Sequence, residues 1–121
     1  MIKKINLAEK FSMFDEYWSP KIVAELNGQQ IKLARLKGEF VWHQHENEDE
    51  MFMVIEGILT IKLPGEDLIL NSGEMVVIPA GVEHMPVADE EVCIMMFEPL
   101  STLNTGNLQG DERTHENLEW L

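Results

Sequence analysis

Three of the four histidines fall in two short blocks whose residue types suit metal chemistry. The first block runs from Gly38 through His43-Gln44-His45 and Glu50 to Gly57. His43 and His45 stand two apart, so on a strand both imidazoles point to one face. Glu50 opens the next apolar run, Glu50-Met51-Phe52-Met53-Val54-Ile55, and a turn through Glu46–Asp49 brings that run back beside the histidines. The second block runs from Gly73 through Pro79-Ala80-Gly81 to His84. Its Pro and Gly shape a tight turn, so a separate hairpin delivers His84 at the start of a new strand. Imidazole and carboxylate together suit first-row divalent ions, and strand-borne ligands are held with little conformational freedom. A lone strand histidine is usually a half-buried polar residue; three in register with a glutamate favour a metal site.

The elements that must carry these groups are legible from turns and alternation. Asn6-Leu7-Ala8-Glu9 predicts a helix start, with an Asn cap and an acidic residue three positions on. Phe11 and Phe14 then share a face with Leu7, and Ser19-Pro20 ends the element. From Lys21 to Glu98 short apolar runs are punctuated by Gly, Pro and Asn. Asn27-Gly28 predicts a hairpin between Ile22–Leu26 and Gln30–Leu36. Gly38, Gly57, Pro64-Gly65, Asn71-Ser72-Gly73 and Pro79-Ala80-Gly81 mark further turns. Leu59, Ile61 and Leu63 alternate with Thr60 and Lys62. Many short strands so spaced argue for an all-β sandwich or small barrel. Phe40 and Trp42 alternate with the histidines and are expected on the far side of that sheet, where a second copy would cover them. The methionines read as core filling, and Cys93 as a buried, inert thiol.

The two blocks resemble the paired motifs of the cupin superfamily in its small single-domain form. The first motif is a glycine, His-x-His, a glutamate and a closing glycine; the second is Gly, Pro-x-Gly and His. Both occur here in order, across about residues 38–88, and the strand pattern extends the likeness to roughly 20–98. One residue fewer than in the commonest spacing separates Gly38 from His43, and Ala88 replaces an asparagine that often follows the last histidine. The resemblance implies a double-stranded β-helix (jelly-roll) barrel, commonly paired as a homodimer. It also implies one divalent transition metal ion (Fe, Mn, Ni or Zn, not distinguished) held by His43, His45, Glu50 and His84.

Length and charge bound the rest. The 121 residues suit one domain, 1–121, with a barrel core at about 20–98 and a tail at 99–121 that docks through Leu118, Trp120 and Leu121 on the barrel or a neighbouring subunit. Twenty-two acidic against nine basic residues give a formal charge of −13. That field repels phosphate backbones and anionic membranes, so neither nucleic acid nor membrane is an expected partner. A single cysteine permits no internal disulfide, and no apolar run follows Lys3-Lys4, so the expected compartment is the cytoplasm. His115 reads as a surface residue, Glu83 as facing away from His84, and Glu46, Glu48 and Asp49 as a solvated turn that lacks EF-hand spacing.

Three histidines and a glutamate on an octahedral ion leave two positions for water, dioxygen or a chelating substrate, whereas four-coordinate zinc would be structural. No second inward carboxylate or histidine is legible. A phosphosugar would need Arg or Lys anchors, and between Gly38 and Glu112 only Lys62 is available, on the outer face. The expected ligand is therefore a small neutral or weakly acidic oxygen chelator, with Arg35, if inward, a candidate substrate contact. Two function classes follow: a mononuclear metal-dependent enzyme of oxygenase or isomerase type, and a non-catalytic module in which the metal stabilises the barrel or binds a signalling ligand.

Overall fold

Alternating apolar residues build an all-β chain with one short helix. A computed structural model describes residues 2–108 and 110–121. Helix α1 (Leu7–Phe11) is followed by β1 (Lys21–Leu26), β2 (Gln29–Glu39), β3 (Glu50–Glu56), β4 (Leu59–Leu63), β5 (Glu66–Leu70), β6 (Met75–Ile78), β7 (Met85–Pro99) and β8 (Glu119–Trp120). Asn27 and Gly28 both have positive φ, 50° and 76°, as a two-residue mirror-image hairpin turn requires.

Strand β7 is the hub. One of its edges pairs antiparallel with β2 from Gln29↔Pro99 to Glu39↔Val87. The other pairs with β3 through Cys93–Phe97 and with β4 through Met85–Val87. The β2–β7 ladder breaks where Asp89–Glu91 stand opposite Lys37 alone, and such a bulge bends and twists the strands it interrupts. The hairpin β4–β5 and the pair β3–β6 thus grow from different halves of β7. The sheet rolls into a jelly-roll barrel. Gly38 does not mark a turn between elements: it lies inside β2 at this bulge, with φ of 83°.

Alternation sorts the apolar side chains into two clusters. Inside the barrel lie Leu36, Phe52, Val54, Leu59, Ile61, Val92, Ile94 and Met96, among others. On the outer face, Leu33 and Cys93 are covered by Phe11 and Phe14, with Leu7 and Leu121 packed alongside. Asn6 caps α1, its side chain accepting from Glu9 N at 3.0 Å. The helix stops at Phe11 rather than at Ser19-Pro20. Arg35 braces the chain where the helix stops, its guanidinium donating to Phe11 O (2.8 Å), the last helical carbonyl, and to Phe14 O (3.0 Å) just beyond it. At the other terminus, β8 pairs parallel with β1 and Leu121 N donates to Ile22 O, so the end of the tail docks on the barrel while Trp120 stays exposed. Among the described residues no helix is long and apolar enough to cross a membrane.

Gly57 joins β3 to β4 with φ of 102°, and a Cβ there would lie 3.0 Å from Glu91 O and 3.1 Å from Val92 Cα. Gly57→Ala should therefore destabilise the fold by about 1–3 kcal/mol, read as a lower urea midpoint. An unchanged midpoint would contradict this account of the β3–β4 turn.

Candidate metal centre

The four candidate ligands converge. His43, His45, Glu50 and His84 are all buried, and one ligand atom from each lies within 4.8 Å of the others. His45 Nε2 and His84 Nε2 lie 3.2 and 3.3 Å from the same oxygen, Glu50 Oε1. His43 Nδ1 is 2.9 Å from Val41 O, and His84 Nδ1 is 2.9 Å from Val82 O. A carbonyl can only accept, so each Nδ1 carries a proton and each ring keeps its Nε2 for the centre. A ring nitrogen facing a carboxylate oxygen at 3.3 Å needs a proton or a metal cation between them. His45 Nδ1 is buried with no partner, and His45 Nε2 meets only Glu50 Oε1, outside good hydrogen-bond geometry. A buried imidazole so poorly satisfied is costly unless something binds it. This donor set fits a divalent metal ion.

The local chain explains the convergence. The His43–His45 stretch is not a regular strand, contrary to expectation; only an isolated bridge joins His43 to His84. His43 N donates to His84 O (3.0 Å) and His84 N to His43 O (2.9 Å), which couples the two sequence blocks directly. The Pro79–Gly81 turn adds two more ties, Gly81 N to His45 O at 2.7 Å and Ala80 N to Asp49 Oδ1 at 2.9 Å. Glu50 arrives as the first residue of β3, opposite Ile78 of β6.

Several neighbours differ from the sequence reading. Phe40 does not face outward: it is buried, stacked on Trp18 (4.8 Å between centroids) and set edge-on to His43 at 5.4 Å. Without a regular strand through residues 40–49, alternation no longer dictates its side, and the apolar barrel interior takes the ring. Trp42 is exposed. Arg35 is not at the centre either. It belongs to the outward set of β2 and, besides holding α1, pairs with Glu91 at 2.9 Å. Its guanidinium thus points away from the four candidate ligands.

A second inward carboxylate does exist. Glu98 and Lys32 are buried, with Lys32 Nζ 2.7 Å from Glu98 Oε1. Glu98 stands one step beyond the Met51↔Phe97 pair, opposite Glu50. Alternation from Ile94 and Met96 carried this signal. Burial and the neighbouring Glu50 charge push the Glu98 carboxyl well above the usual range, with Lys32 pulling the other way. Burial also works against the Glu50 charge, but Glu98, His45 and His84 within bonding reach outweigh it and hold Glu50 well below that range.

Two cavities adjoin the ligands from different sides. One, of about 30 Å³, is apolar and lies among Trp18, Leu36, Phe40, Phe52, Ile94 and Met96, reaching His43 and Glu50. The other, of about 310 Å³, is polar and lies beside His45, among Glu46, Asn47, Glu48, Ser101 and Asn107. Of the methionines, Met85 and Met96 are buried, whereas Met75 is exposed.

Comparison with known proteins agrees with this geometry. The cupin domain family model matches residues 30–98, a span that contains all four candidate ligands. A cupin-2 domain containing protein from Shewanella frigidimarina NCIMB 400 has a similar crystal structure, 52% identical with a TM-score of 0.78, covering 78% of this chain and 93% of that one. A Neisseria meningitidis protein of known structure is 30% identical with a TM-score of 0.74, over 80% of this chain and 99% of its own. YdbB of Bacillus subtilis (strain 168) is 36% identical over 63 residues, 51% of this chain and 56% of YdbB, so the likeness spans little more than half of that relative.

Burial, then the neighbouring His84 ring, pushes the His43 imidazole down to about 4. In the metal-free protein the folded state protonates His43 only near that pH, whereas the unfolded chain does so near 6.5. The unfolded state thus binds more protons between these values, so stability rises with pH across the window and is lost on acidification through it. The contribution is at most about 3 kcal/mol. Urea midpoints at pH 7 and pH 4 should fall further apart in wild type than in His43→Gln; equal falls would refute this role for burial.

Proposed function

The chain belongs to the cupin domain family, and we propose that it is a mononuclear metal-dependent enzyme acting on a small oxygen-chelating molecule. His43, His45, Glu50 and His84 hold one divalent transition metal ion in this reading. The observation that carries it is the approach of two ring nitrogens to one buried carboxylate oxygen at 3.2 and 3.3 Å. Such an ion, when bound, supplies Lewis acidity toward a chelating carbonyl or hydroxyl oxygen. The protein's part is to fix the rings through Val41 O and Val82 O, and to keep the centre dry on one side.

The surroundings support a choice of substrate. The apolar cavity reaches His43 and Glu50 and presents mainly hydrocarbon and aromatic surface toward them, which suits the apolar part of a small ligand. The polar cavity offers amide and hydroxyl groups from Asn47, Ser101 and Asn107 beside the acidic Glu46 and Glu48, and among the described residues no Lys or Arg lines it. That lining suits a neutral, hydroxylated molecule and disfavours a phosphate. Elemental analysis of dialysed protein should find about one divalent ion per chain, with most of it lost in His45→Ala and in Glu50→Ala. Equal metal content in all three proteins would sink the reading.

The expected partner copy belongs on a different face from the one Phe40 suggested. Met51 pairs with Val77 and Phe97, and Met53 with Met75 and Met95, giving six apolar residues across β6, β3 and β7. All six are at least partly exposed. No charge interrupts this band in a chain of net charge −13, so two copies meet there with the least repulsion. Light scattering should report about twice the 13.9 kDa chain mass. Met53→Glu should give the single-chain mass, and a wild type that is already monomeric at micromolar concentration would refute the dimer.

A further inference from the structure

The stretch that carries two of the four candidate ligands has no strand paired along it, yet both backbone groups of Gln44 are engaged by the tail. Gln44 lies between His43 and His45. Asn107 N donates to Gln44 O at 2.8 Å, and Gln44 N donates to Asn107 Oδ1 at 2.9 Å. Gly106 lies flat against the same peptide: a Cβ there would collide with Gln44 O and come within 3.1 Å of the His43 ring, and its φ is 57°. Only glycine fits such a close approach.

The segment that supplies these contacts is itself well tied. Gly106 N donates to Leu103 O (2.9 Å) and Leu108 N to Thr105 O (3.0 Å). Thr105 is fully buried and its hydroxyl meets that of Thr114 at 2.7 Å. Asn104 bonds Arg113 O and His115 N, closing the turn from outside. None of this lies within residues 30–98, the span matched by the family model.

We propose that Gly106 and Asn107 are positioning residues of the metal centre, clamping the Gln44 peptide so that His43 and His45 are held at their spacing. His84 takes both backbone groups of His43 from one side, and Asn107 takes both of Gln44 from the other. The two ligand rings therefore hang from a peptide that cannot rotate without breaking bonds on both flanks. The same segment roofs the polar cavity beside His45. This inference rests on the metal reading above and extends the centre into the tail.

Chelator competition with zinc, on the full-length chain, tests it. Groups that orient ligands typically contribute about 10–100-fold in metal affinity, and Asn107→Ala should weaken zinc by that order. Asn107→Asp, which keeps the acceptor for Gln44 N, should stay near wild type. Gly106→Ala should weaken zinc as well; if it fails to fold, the Asn107 pair decides alone. Hydrogen exchange of the Gln44 amide in metal-free protein should speed up in Asn107→Ala and not in Asn107→Asp. Leu121→Ala loosens the tail at its other anchor and should leave zinc affinity unchanged. Wild-type affinity in Asn107→Ala, or an equal loss in Leu121→Ala, overturns the clamp while leaving the metal reading standing. A wild type that binds no zinc, iron, manganese or nickel overturns both.

Discussion

The constraint on which this molecule depends is electrostatic. Three imidazoles and a carboxylate are turned toward one point in a pocket from which water is largely excluded. Lone pairs so gathered repel one another, and burying them costs several kcal/mol unless a cation or shared proton compensates. The scaffold must hold that arrangement against relaxation. It does so with backbone bonds, which cannot swing away as side chains can.

The barrel supplies those bonds in layers. Strand β7 gives the rigid wall, carrying Glu98 opposite Glu50 and continuing from His84 at its start. The Pro79–Gly81 turn ties the second block to the first, and the carbonyls of Val41 and Val82 fix ring orientation. Behind Glu50 the Lys32–Glu98 pair places a positive charge among carboxylates inside an otherwise apolar shell. Removing either member would leave its partner buried and unpaired, the costly half of any such interaction. The N-terminal helix and the end of the tail serve a different task, covering the outer side of β2 and β7 where Leu33 and Cys93 would otherwise meet water.

Much of this was readable in advance, because turns and alternation are local. Asn27-Gly28 announced the first hairpin, the four candidate ligands stood out by residue type and spacing, and Leu59 and Ile61 announced the core face of β4. What could not be read depends on contacts between distant segments. The segment after helix α1 is held by Arg35, more than twenty residues on, which bonds Phe11 O and Phe14 O. The same bonds turn Arg35 away from the centre. Phe40 lies inside because residues 40–49 leave the regular pleat, so counting by twos loses its meaning there. Glu98 was within reach of alternation, since Ile94 and Met96 share its face. Gly106 and Asn107 were not, because a polar tail carries no periodicity.

The β2–β7 ladder has a consequence for how the chain acquires its structure. Its nearest rungs, Glu39 and Val87, are 48 positions apart, and every residue from His43 to His84 lies in the loop they close. Pairing at such separation is entropically expensive and slow to form. Strands β3 to β6 can associate within the loop, and the Glu50–Ile78 pairing with the Gly81–His45 bond can bring the two blocks together before the long strands close around them. The four candidate ligands therefore all lie within the long loop that this ladder closes, and the long strands lock that loop shut where Glu39 meets Val87.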